Sequence, residues 1–300
     1  MKQLPRVLVL GYGEMGHAME YLLSDRLHID IWDKYPQINF NSANLETAAA
    51  AADIVLFCLP VNPHRKIANQ IFPFLKKTCL CISIAKGLDE SGQTAAQIFS
   101  DVFSTNQLFA LLYGPMISEE IRAGRCAFAQ LGCDDVESFN SVRELFDGSG
   151  LYMTQTADIT GISWSVILKN VYALLYGMAD ELSLGDNMRG YLTVTALREL
   201  EQIVRVMGGQ AGSPYDLAGV GDLITTGTSE NSHHHEIGRK LARGEVDDIE
   251  GEGIHTLAMV SKYQLFDIKN YPLFQLIQAI VQQPCAVSEK INAHLKQVYC

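Results

Sequence analysis

The chain has 300 residues, 48% of them hydrophobic and 19% charged, which is typical of a globular protein with enough apolar residues for two domains. The formal net charge of −11 argues against nucleic acid or an anionic membrane surface as a partner, whereas a small anionic substrate needs only a few local cations. No uncharged apolar stretch reaches about 18 residues, so no integral membrane segment is expected.

The start of the chain, Met1 to Pro5, lacks the apolar stretch and the cleavage site of a signal peptide, which predicts a cytoplasmic protein. The cysteines are scattered without a C-x-x-C pair, and several lie inside apolar runs. They are expected to be buried free thiols rather than disulfides or zinc ligands. The seven of them stand at positions 58, 79, 81, 126, 133, 285 and 300.

The stretch from Val7 to Gly16 joins a strand to a glycine-rich turn. Four apolar residues, Val7 to Leu10, favour a strand buried on both faces, and glycines follow as G-x-G-x-x-G. Gly11 allows a tight turn, Gly13 lets the backbone approach a pyrophosphate, and Gly16 lets the next helix lie close to the strand. Free N–H groups at the helix start would face the phosphates, which predicts a dinucleotide site. The alternative is a glycine turn without a ligand.

A second apolar run, His28 to Trp32, ends at Asp33, 22 residues after Gly11. A carboxylate at this position can hydrogen-bond the adenosine ribose and would repel a 2′-phosphate, which favours NAD over NADP. The neighbouring Lys34 could reach such a phosphate, so NADP stays open as the cofactor.

Apolar runs continue to alternate with helix-like segments up to about residue 150, with strands expected at 54–59, 79–84, 108–113 and 126–131. This alternation predicts a doubly wound parallel sheet over residues 1–154. Ligands of such sheets bind beyond the carboxyl ends of the strands. Pro60, Lys86 and Gly114 follow three of these strands, so they are expected to face the cofactor.

After residue 154 the pattern becomes helical. Residues 158–184 read as one helix that is apolar on most sides, and such a helix is buried. Further helices are expected near 187–207, 234–243, 253–264 and 273–281. The sequence thus predicts an all-helical domain over residues 155–300.

Lys169, followed by Asn170, lies in the middle of that apolar helix. Burial of an ammonium group is costly, and desolvation brings a lysine pKa toward the range useful for proton transfer. The lysine is therefore a candidate for catalysis. The alternative is a side chain that extends to the surface.

Three other polar patterns have structural alternatives. Gly185 to Asn187 are expected to cap the end of the long helix. Asp222 lies at a glycine-framed helix start, where it is either a functional acid or an N-cap. The run from Ser232 to His235 does not predict a metal site, because adjacent helical residues do not face one point and no acid or cysteine completes the set.

Together these motifs resemble the NAD(P)-dependent glycerol-3-phosphate dehydrogenase family over nearly the whole chain. The resemblance rests, in this order, on GYGEMG, SIAKGLDE at 83–90, YGPMISEE at 113–120, LKN at 168–170, LGDN at 184–187, GVGDLITT at 219–226 and EGIHT at 252–256. It implies a Rossmann-type NAD-binding domain followed by a helical substrate and catalytic domain. A homodimer is compatible with the sequence.

The resemblance also implies roles for single residues. Lys169 matches the catalytic lysine that exchanges a proton with the substrate oxygen, and Lys86 matches a second active-site lysine near substrate and nicotinamide. Asp222 is the third residue assigned to catalysis, because an aspartate can orient the lysine. The residues implied in substrate binding are Lys86, Gly114, Lys169, Asn170, Asp222, Thr226, Ser232, His233 and His234. Those implied in cofactor binding are Gly11, Gly13, Glu14, Met15, Gly16, Asp33, Pro60, Lys86, Ser118 and Glu252.

The sequence departs from the family after Ser232, where His233 and His234 replace an Arg-Asn pair that binds phosphate. Arginine is a permanent bidentate partner of phosphate, and histidine is not. The expected activity is the reduction of dihydroxyacetone phosphate to sn-glycerol 3-phosphate, which would feed phospholipid synthesis. The alternatives are a related dehydrogenase for another small hydroxy acid or hydroxy phosphate, and a dinucleotide-binding sensor without turnover.

Overall fold

The computed structural model describes residues 4–24, 27–35, 42–104, 107–230 and 232–299. Within them the chain forms two compact units. The first holds the residues up to Asp89 and Gln93–Ile159, and the second holds Glu90–Gly92 and the residues from Thr160 onward. The units therefore divide after residue 159, whereas the sequence pattern placed the division after residue 154.

The first unit is built on a seven-stranded sheet in the order β2-β1-β3-β4-β5-β6-β7. All neighbouring strands are parallel except β5 and β6, which are antiparallel. The strands are β1 Arg6–Leu10, β2 His28–Trp32, β3 Ile54–Phe57, β4 Leu80–Ser83, β5 Leu108–Tyr113, β6 Ala127–Gly132 and β7 Leu151–Thr156.

Two features of this sheet differ from the predicted fully parallel arrangement. The connection from β5 to β6 contains only the five-residue helix Ser118–Arg122, which is too short to carry the chain back along the sheet, so β6 returns in the opposite direction. The edge strand β7 was not predicted, because only half of its sequence LYMTQT is apolar and all but its first residue are partly or fully exposed.

Helices cover both faces of the sheet, as a strand that is apolar on both sides requires. Val7 and Val9 of β1 pack into one core, and the alternate residues Leu8 and Leu10 pack into another on the opposite face. The α-helices of this unit are α1 Glu14–Leu23, α2 Leu45–Ala51, α3 His64–Ile71, α4 Ala95–Phe103, α5 Ser118–Arg122 and α6 Val136–Leu145, and a short 3-10 helix, Phe72–Phe74, follows α3.

All regular elements in the described residues of the second unit are helices, as predicted. Its central element is α7, Ile159–Glu181, in which every residue from Gly161 to Ala179 is buried. None of the helices in the described part of the chain is long and apolar enough to cross a membrane. The remaining α-helices are α8 Gly185–Val206, α9 Asp222–Thr228, α10 His233–Ala242, α11 Glu252–Tyr263, α12 Pro272–Gln282 and α13 Val287–Tyr299. Short 3-10 helices occur at Ser213–Tyr215 and Ile268–Asn270, and a π-helical turn at Leu217–Gly221 leads into α9.

The end of α7 differs from the prediction. The helix stops at Glu181, and the chain reverses at Ser183, whose φ is +54°. Gly185 to Asn187 then form the first turn of α8 instead of capping α7. A left-handed residue between two helices ends the first one, and here that residue is a serine rather than the glycine expected from the sequence.

The six cysteines in the described ranges are all free thiols. Cys79, Cys81 and Cys133 are buried and Cys58 is partly buried, in line with their apolar surroundings. The prediction of burial was wrong for Cys126 and Cys285, which are exposed, and Cys300 lies outside the described residues.

Candidate functional sites in the two units

In the first unit the glycine turn joins β1 to α1. Gly11 has a φ of +93°, and its N–H donates to the Trp32 carbonyl at 2.8 Å. A Cβ on Gly16 would lie 2.2 Å from the Gly11 carbonyl oxygen, so only glycine lets α1 start this close to β1. A Cβ on Gly13 would meet no described atom within 4 Å, which leaves its backbone open to an approaching group.

The first turn of α1 carries Glu14 and Met15. The exposed Glu14 carboxylate accepts from Arg122 Nη1 at 3.2 Å and from Ser118 Oγ at 3.4 Å. Met15 instead packs against the core on this face of the sheet. The structure thus brings Ser118, which lies more than a hundred residues later, to the start of α1.

Asp33 follows β2 and lies directly against the glycine turn. One carboxylate oxygen accepts from the Tyr12 N–H at 2.7 Å, and the other accepts from the Tyr35 N–H at 2.7 Å. The ammonium of Lys34 lies 4.7 Å from the centre of the Tyr35 ring. The acid predicted to contact a ribose is therefore held in place by backbone donors next to the turn.

The carboxyl ends of β3, β4 and β5 carry Pro60, Lys86 and Gly114. The Lys86 ammonium donates to the Gly114 carbonyl at 3.0 Å, and the Pro60 carbonyl accepts from the buried His64. The three predicted residues thus lie on neighbouring strand ends. Sequence reasoning missed His64, whose only signal was a polar residue at the start of an otherwise ordinary helix.

In the second unit the central feature is the buried ammonium of Lys169. Its side chain is 4% exposed, and Nζ lies 3.1 Å from Asp222 Oδ2 and 2.5 Å from Thr226 Oγ1. Asp222 and Thr226 are one turn apart on α9, so they present their oxygens from the same face. The alternative that the Lys169 side chain extends to the surface is therefore wrong. The alternative that Asp222 is an N-cap is also wrong, because the N-cap of α9 is Gly221.

Asn170, the next residue on α7, contacts the start of α11. Its Nδ2 donates to Glu252 Oε2 at 3.3 Å. The N–H of Gly253 donates to His234 Nε2 at 3.2 Å, so this ring nitrogen acts as an acceptor. The contacts join α7, α10 and α11 around the two polar residues of α7.

The three histidines at the start of α10 point to three different partners. Ser232 caps the helix by accepting from the His235 N–H at 3.3 Å. His233 Nε2 donates to the Glu250 carbonyl at 2.7 Å, and His235 Nε2 donates to Asp180 Oδ2 at 2.7 Å. Successive residues diverge by about 100° around a helix, which explains the separation. No cluster of metal-ligating side chains occurs in the described ranges.

The buried His235 and the partly buried Asp180 form a second polar pair that the sequence did not reveal. Burial alone would raise the pKa of Asp180, but hydrogen bonds from His235 and Arg189 outweigh it and hold that pKa below its usual range. Arg189 and Arg239 line an open cleft of about 300 Å³ beside this pair. The Arg239 guanidinium donates to Glu230 at 3.2 Å.

Both units match the sequence models of one protein family. The model described as NAD-dependent glycerol-3-phosphate dehydrogenase N-terminus matches residues 34–138, and the model of the C-terminus matches residues 158–292.

Curated relatives carry the same description. Glycerol-3-phosphate dehydrogenase (NAD(P)+) 1 of Mycobacterium tuberculosis is 26% identical, over 99% of this chain and 96% of the relative. The glycerol-3-phosphate dehydrogenase (NAD(P)+) of Moorella thermoacetica is 29% identical over 84% of each chain.

Among solved structures, glycerol-3-phosphate dehydrogenase from Coxiella burnetii superposes with a TM-score of 0.83 at 19% identity, covering 97% of this chain and 99% of the other. The two chains therefore share a fold. Because the two family models together match residues 34–138 and 158–292, most of both units, this chain belongs to the family of NAD-dependent glycerol-3-phosphate dehydrogenases, oxidoreductases that use a nicotinamide cofactor.

Proposed function

We propose that the protein reduces dihydroxyacetone phosphate to sn-glycerol 3-phosphate, with Lys169 as the general acid. The observation that carries this proposal is a lysine on a fully buried helix whose ammonium contacts Asp222 and Thr226. Stability alone does not require an ammonium at this depth, because even a paired buried charge loses much of its attraction to the cost of desolvation. A dehydrogenase, in contrast, needs a fixed proton donor in a place shielded from water.

A reduced nicotinamide cofactor, when bound, would supply the hydride for the carbonyl carbon of the substrate. Negative charge then builds up on the carbonyl oxygen, and the Lys169 ammonium stabilises that charge and gives its proton to the oxygen. Asp222 and Thr226 hold the ammonium in one orientation. Lys86 is proposed to stabilise the same charge, while Asn170 and Gly114 contact the body of the substrate.

The residues proposed for cofactor binding fit a dinucleotide. The open space at Gly13 and the close approach at Gly16 leave the start of α1 accessible to a pyrophosphate, with Glu14, Met15 and Ser118 beside it. Gly11 and Asp33 complete the turn on the adenosine side. Pro60, Lys86 and Glu252 are the other proposed contacts.

Asp33 favours NAD(H) over NADP(H) in this proposal, because its carboxylate can accept from a ribose hydroxyl but would repel a 2′-phosphate. We expect kcat/KM with NADH to equal or exceed that with NADPH. A preference for NADPH by more than about tenfold, roughly 1.4 kcal/mol of transition-state free energy, would contradict the assignment.

The phosphate end of the substrate is assigned to Ser232, His233 and His234 at the start of α10, where helix N–H groups favour an anion. The loss of the family's arginine supports a second candidate function, in which the substrate is another small hydroxy acid or hydroxy phosphate.

The test is to incubate the purified protein with NADH and dihydroxyacetone phosphate and to measure the decrease in NADH absorbance. The same reaction is measured with small 2-keto acids and with other keto phosphates as substrates. The proposal requires dihydroxyacetone phosphate to give the highest kcat/KM. A higher value for another substrate selects the second candidate. Binding of NADH, seen as a thermal shift, without turnover of any substrate would leave only a dinucleotide sensor.

We also propose a homodimer in the cytoplasm. The exposed free thiols of Cys126 and Cys285 support a reducing compartment. Sedimentation equilibrium gives the assembly state, and fractionation of cells that express the tagged chain gives its location.

A further inference from the structure

His64 is a fully buried histidine outside the groups proposed for the reaction. It is the first residue of α3 and is 0% exposed. Its ring lies 5.0 Å from the Phe57 ring and 5.6 Å from the Phe99 ring, measured between centroids. Nδ1 lies 2.9 Å from the Pro60 carbonyl oxygen, and Nε2 lies 2.8 Å from Ser83 Oγ. Both ring nitrogens therefore have a partner in an otherwise apolar place.

The partners fix where the protons are. A carbonyl oxygen only accepts, so Nδ1 carries the proton and donates it to Pro60. Burial lowers the pKa of His64 to about 4 despite the opposing bond to Pro60, so the ring is neutral and Nε2 accepts from the Ser83 hydroxyl. Ser83 Oγ in turn accepts from the Ala85 N–H at 3.2 Å. The result is a directed chain from Ala85 through Ser83 and His64 to Pro60.

This chain of hydrogen bonds joins the ends of neighbouring strands. Pro60 follows β3, and Ser83 is the last residue of β4. Ala85 directly precedes Lys86, whose ammonium donates to the Gly114 carbonyl after β5 at 3.0 Å. His64 is thus the one side chain that reaches from the β3 loop to the β4 loop within this chain of bonds.

We propose that His64 is a positioning residue, which sets the Pro60 loop for cofactor binding through Nδ1 and the Lys86 loop for hydride transfer through Nε2. This inference rests on the proposed function, since it takes Pro60 and Lys86 as parts of that site. It predicts that the hydrogen bond of Nδ1 affects cofactor affinity, whereas the hydrogen bond of Nε2 affects kcat. A side chain that only fills the core would not separate these two effects.

Two substitutions each remove the hydrogen bond of one ring nitrogen and keep the other. The side-chain amide of asparagine takes the position of Nδ1, and that of glutamine takes the position of Nε2. His64→Asn keeps the bond to Pro60 and loses Ser83, so kcat should fall about tenfold while the dissociation constant of NADH stays within about twofold. His64→Gln keeps the bond from Ser83 and loses Pro60, so that dissociation constant should rise about tenfold with kcat nearly unchanged at saturation.

Ile71→Val is the matched control, because Ile71 is buried on the same helix and contributes no polar contact. It should lower the melting temperature without separating kcat from NADH affinity. Ser83→Ala should reproduce His64→Asn, and the double variant should be no worse than either single one.

NADH binding is measured directly by fluorescence without substrate, and kcat is measured on the best substrate found. The inference is overturned if the Asn and Gln variants change both quantities by the same factor, or change neither. If the wild type fails to reduce dihydroxyacetone phosphate, the proposed function fails. The dissociation constants of NADH then test the inference without kcat. A dissociation constant that rises in His64→Gln but not in His64→Asn supports the role of His64, and equal dissociation constants in the two variants overturn it.

Discussion

Each unit of this molecule contains a buried polar cluster at its candidate site, and the two clusters differ in kind. In the first unit His64 and Ser83 form a neutral network that is attached to backbone groups at strand ends. In the second unit Lys169 and Asp222 form an ion pair between side chains of α7 and α9. A neutral network can shape a loop at low electrostatic cost, whereas a buried ion pair can hold a proton donor in place only while both charges are present.

The largest expected effect comes from breaking the ion pair. Lys169→Met should lower kcat at least about a hundredfold, because the general acid is lost. It also removes the counter-ion of Asp222, a carboxylate that is 3% exposed, and should lower the free energy of unfolding by about 3–5 kcal/mol. Steady-state kinetics and urea titration measure the two effects.

The control for this variant removes both charges. Lys169→Met with Asp222→Leu should regain most of the lost stability, because no buried charge is left, but none of the activity. Near-normal turnover of either variant would make Lys169 a structural lysine.

The neutral network should make the free energy of unfolding depend on pH in the acidic range. The pKa of His64 is lowered from 6.5 to about 4 by burial, so between these values the unfolded chain binds a proton that the folded chain does not. The free energy of unfolding of the first unit should therefore fall by about 3 kcal/mol as the pH falls from 7 to 4. In contrast, the lowered pKa of Asp180 in the second unit removes stability only below its usual value of 3.8.

The two tryptophans make this comparison measurable, because Trp32 lies in the first unit and Trp164 in the second. Urea titration of a Trp164→Phe variant follows the first unit, and His64→Phe in that background should flatten its dependence on pH over this range. A pH dependence that survives in His64→Phe would assign it to another group.

The glycine turn allows fold and ligand binding to be separated within the first unit. Gly16→Ala places a methyl group 2.2 Å from the Gly11 carbonyl and should lower the free energy of unfolding by about 2 kcal/mol or more. Gly13→Ala meets no described atom, so stability should change by less than about 0.5 kcal/mol.

The same variant, Gly13→Ala, should weaken NADH about tenfold, because the methyl group occupies the space assigned to the pyrophosphate. Isothermal titration measures the affinity, and the stable Gly13→Ala protein is its own folding control. Unchanged affinity would mean that the pyrophosphate does not approach Gly13.

The smallest expected effect concerns the residues of the second unit that are proposed to bind the phosphate group of the substrate. His233→Arg should lower KM for dihydroxyacetone phosphate about threefold to tenfold, because a guanidinium binds phosphate with two parallel hydrogen bonds. Arg239→Ala should leave KM unchanged, since the Arg239 guanidinium already contacts Glu230. The reverse result would assign the phosphate to the open cleft that Arg239 lines.

Local patterns in the sequence were sufficient for much of the fold and part of the site. An apolar run followed by spaced glycines can form little other than a buried strand and a tight turn, because sterics and burial act within a few residues. The helix around Lys169 was recognisable for the same reason. Each of these features depends on neighbours in the chain.

No local pattern in the sequence predicts which distant polar groups are in contact; the family resemblance implied a common site for Lys169, Asp222 and Thr226, and the tertiary structure supplied the contacts themselves. Lys169 contacts Thr226, which lies 57 residues later, and His235 contacts Asp180 at a separation of 55. No periodicity links such pairs, and their alternatives as caps or surface residues are locally just as favourable. The reversal of β6 and the bonds of His64 likewise depend on how elements pack. The sequence by itself therefore determined most of the helices and strands and the glycine turn. The positions of the buried charges were decided by packing, because burying a charge is tolerated only where a partner from a distant part of the chain lies beside it.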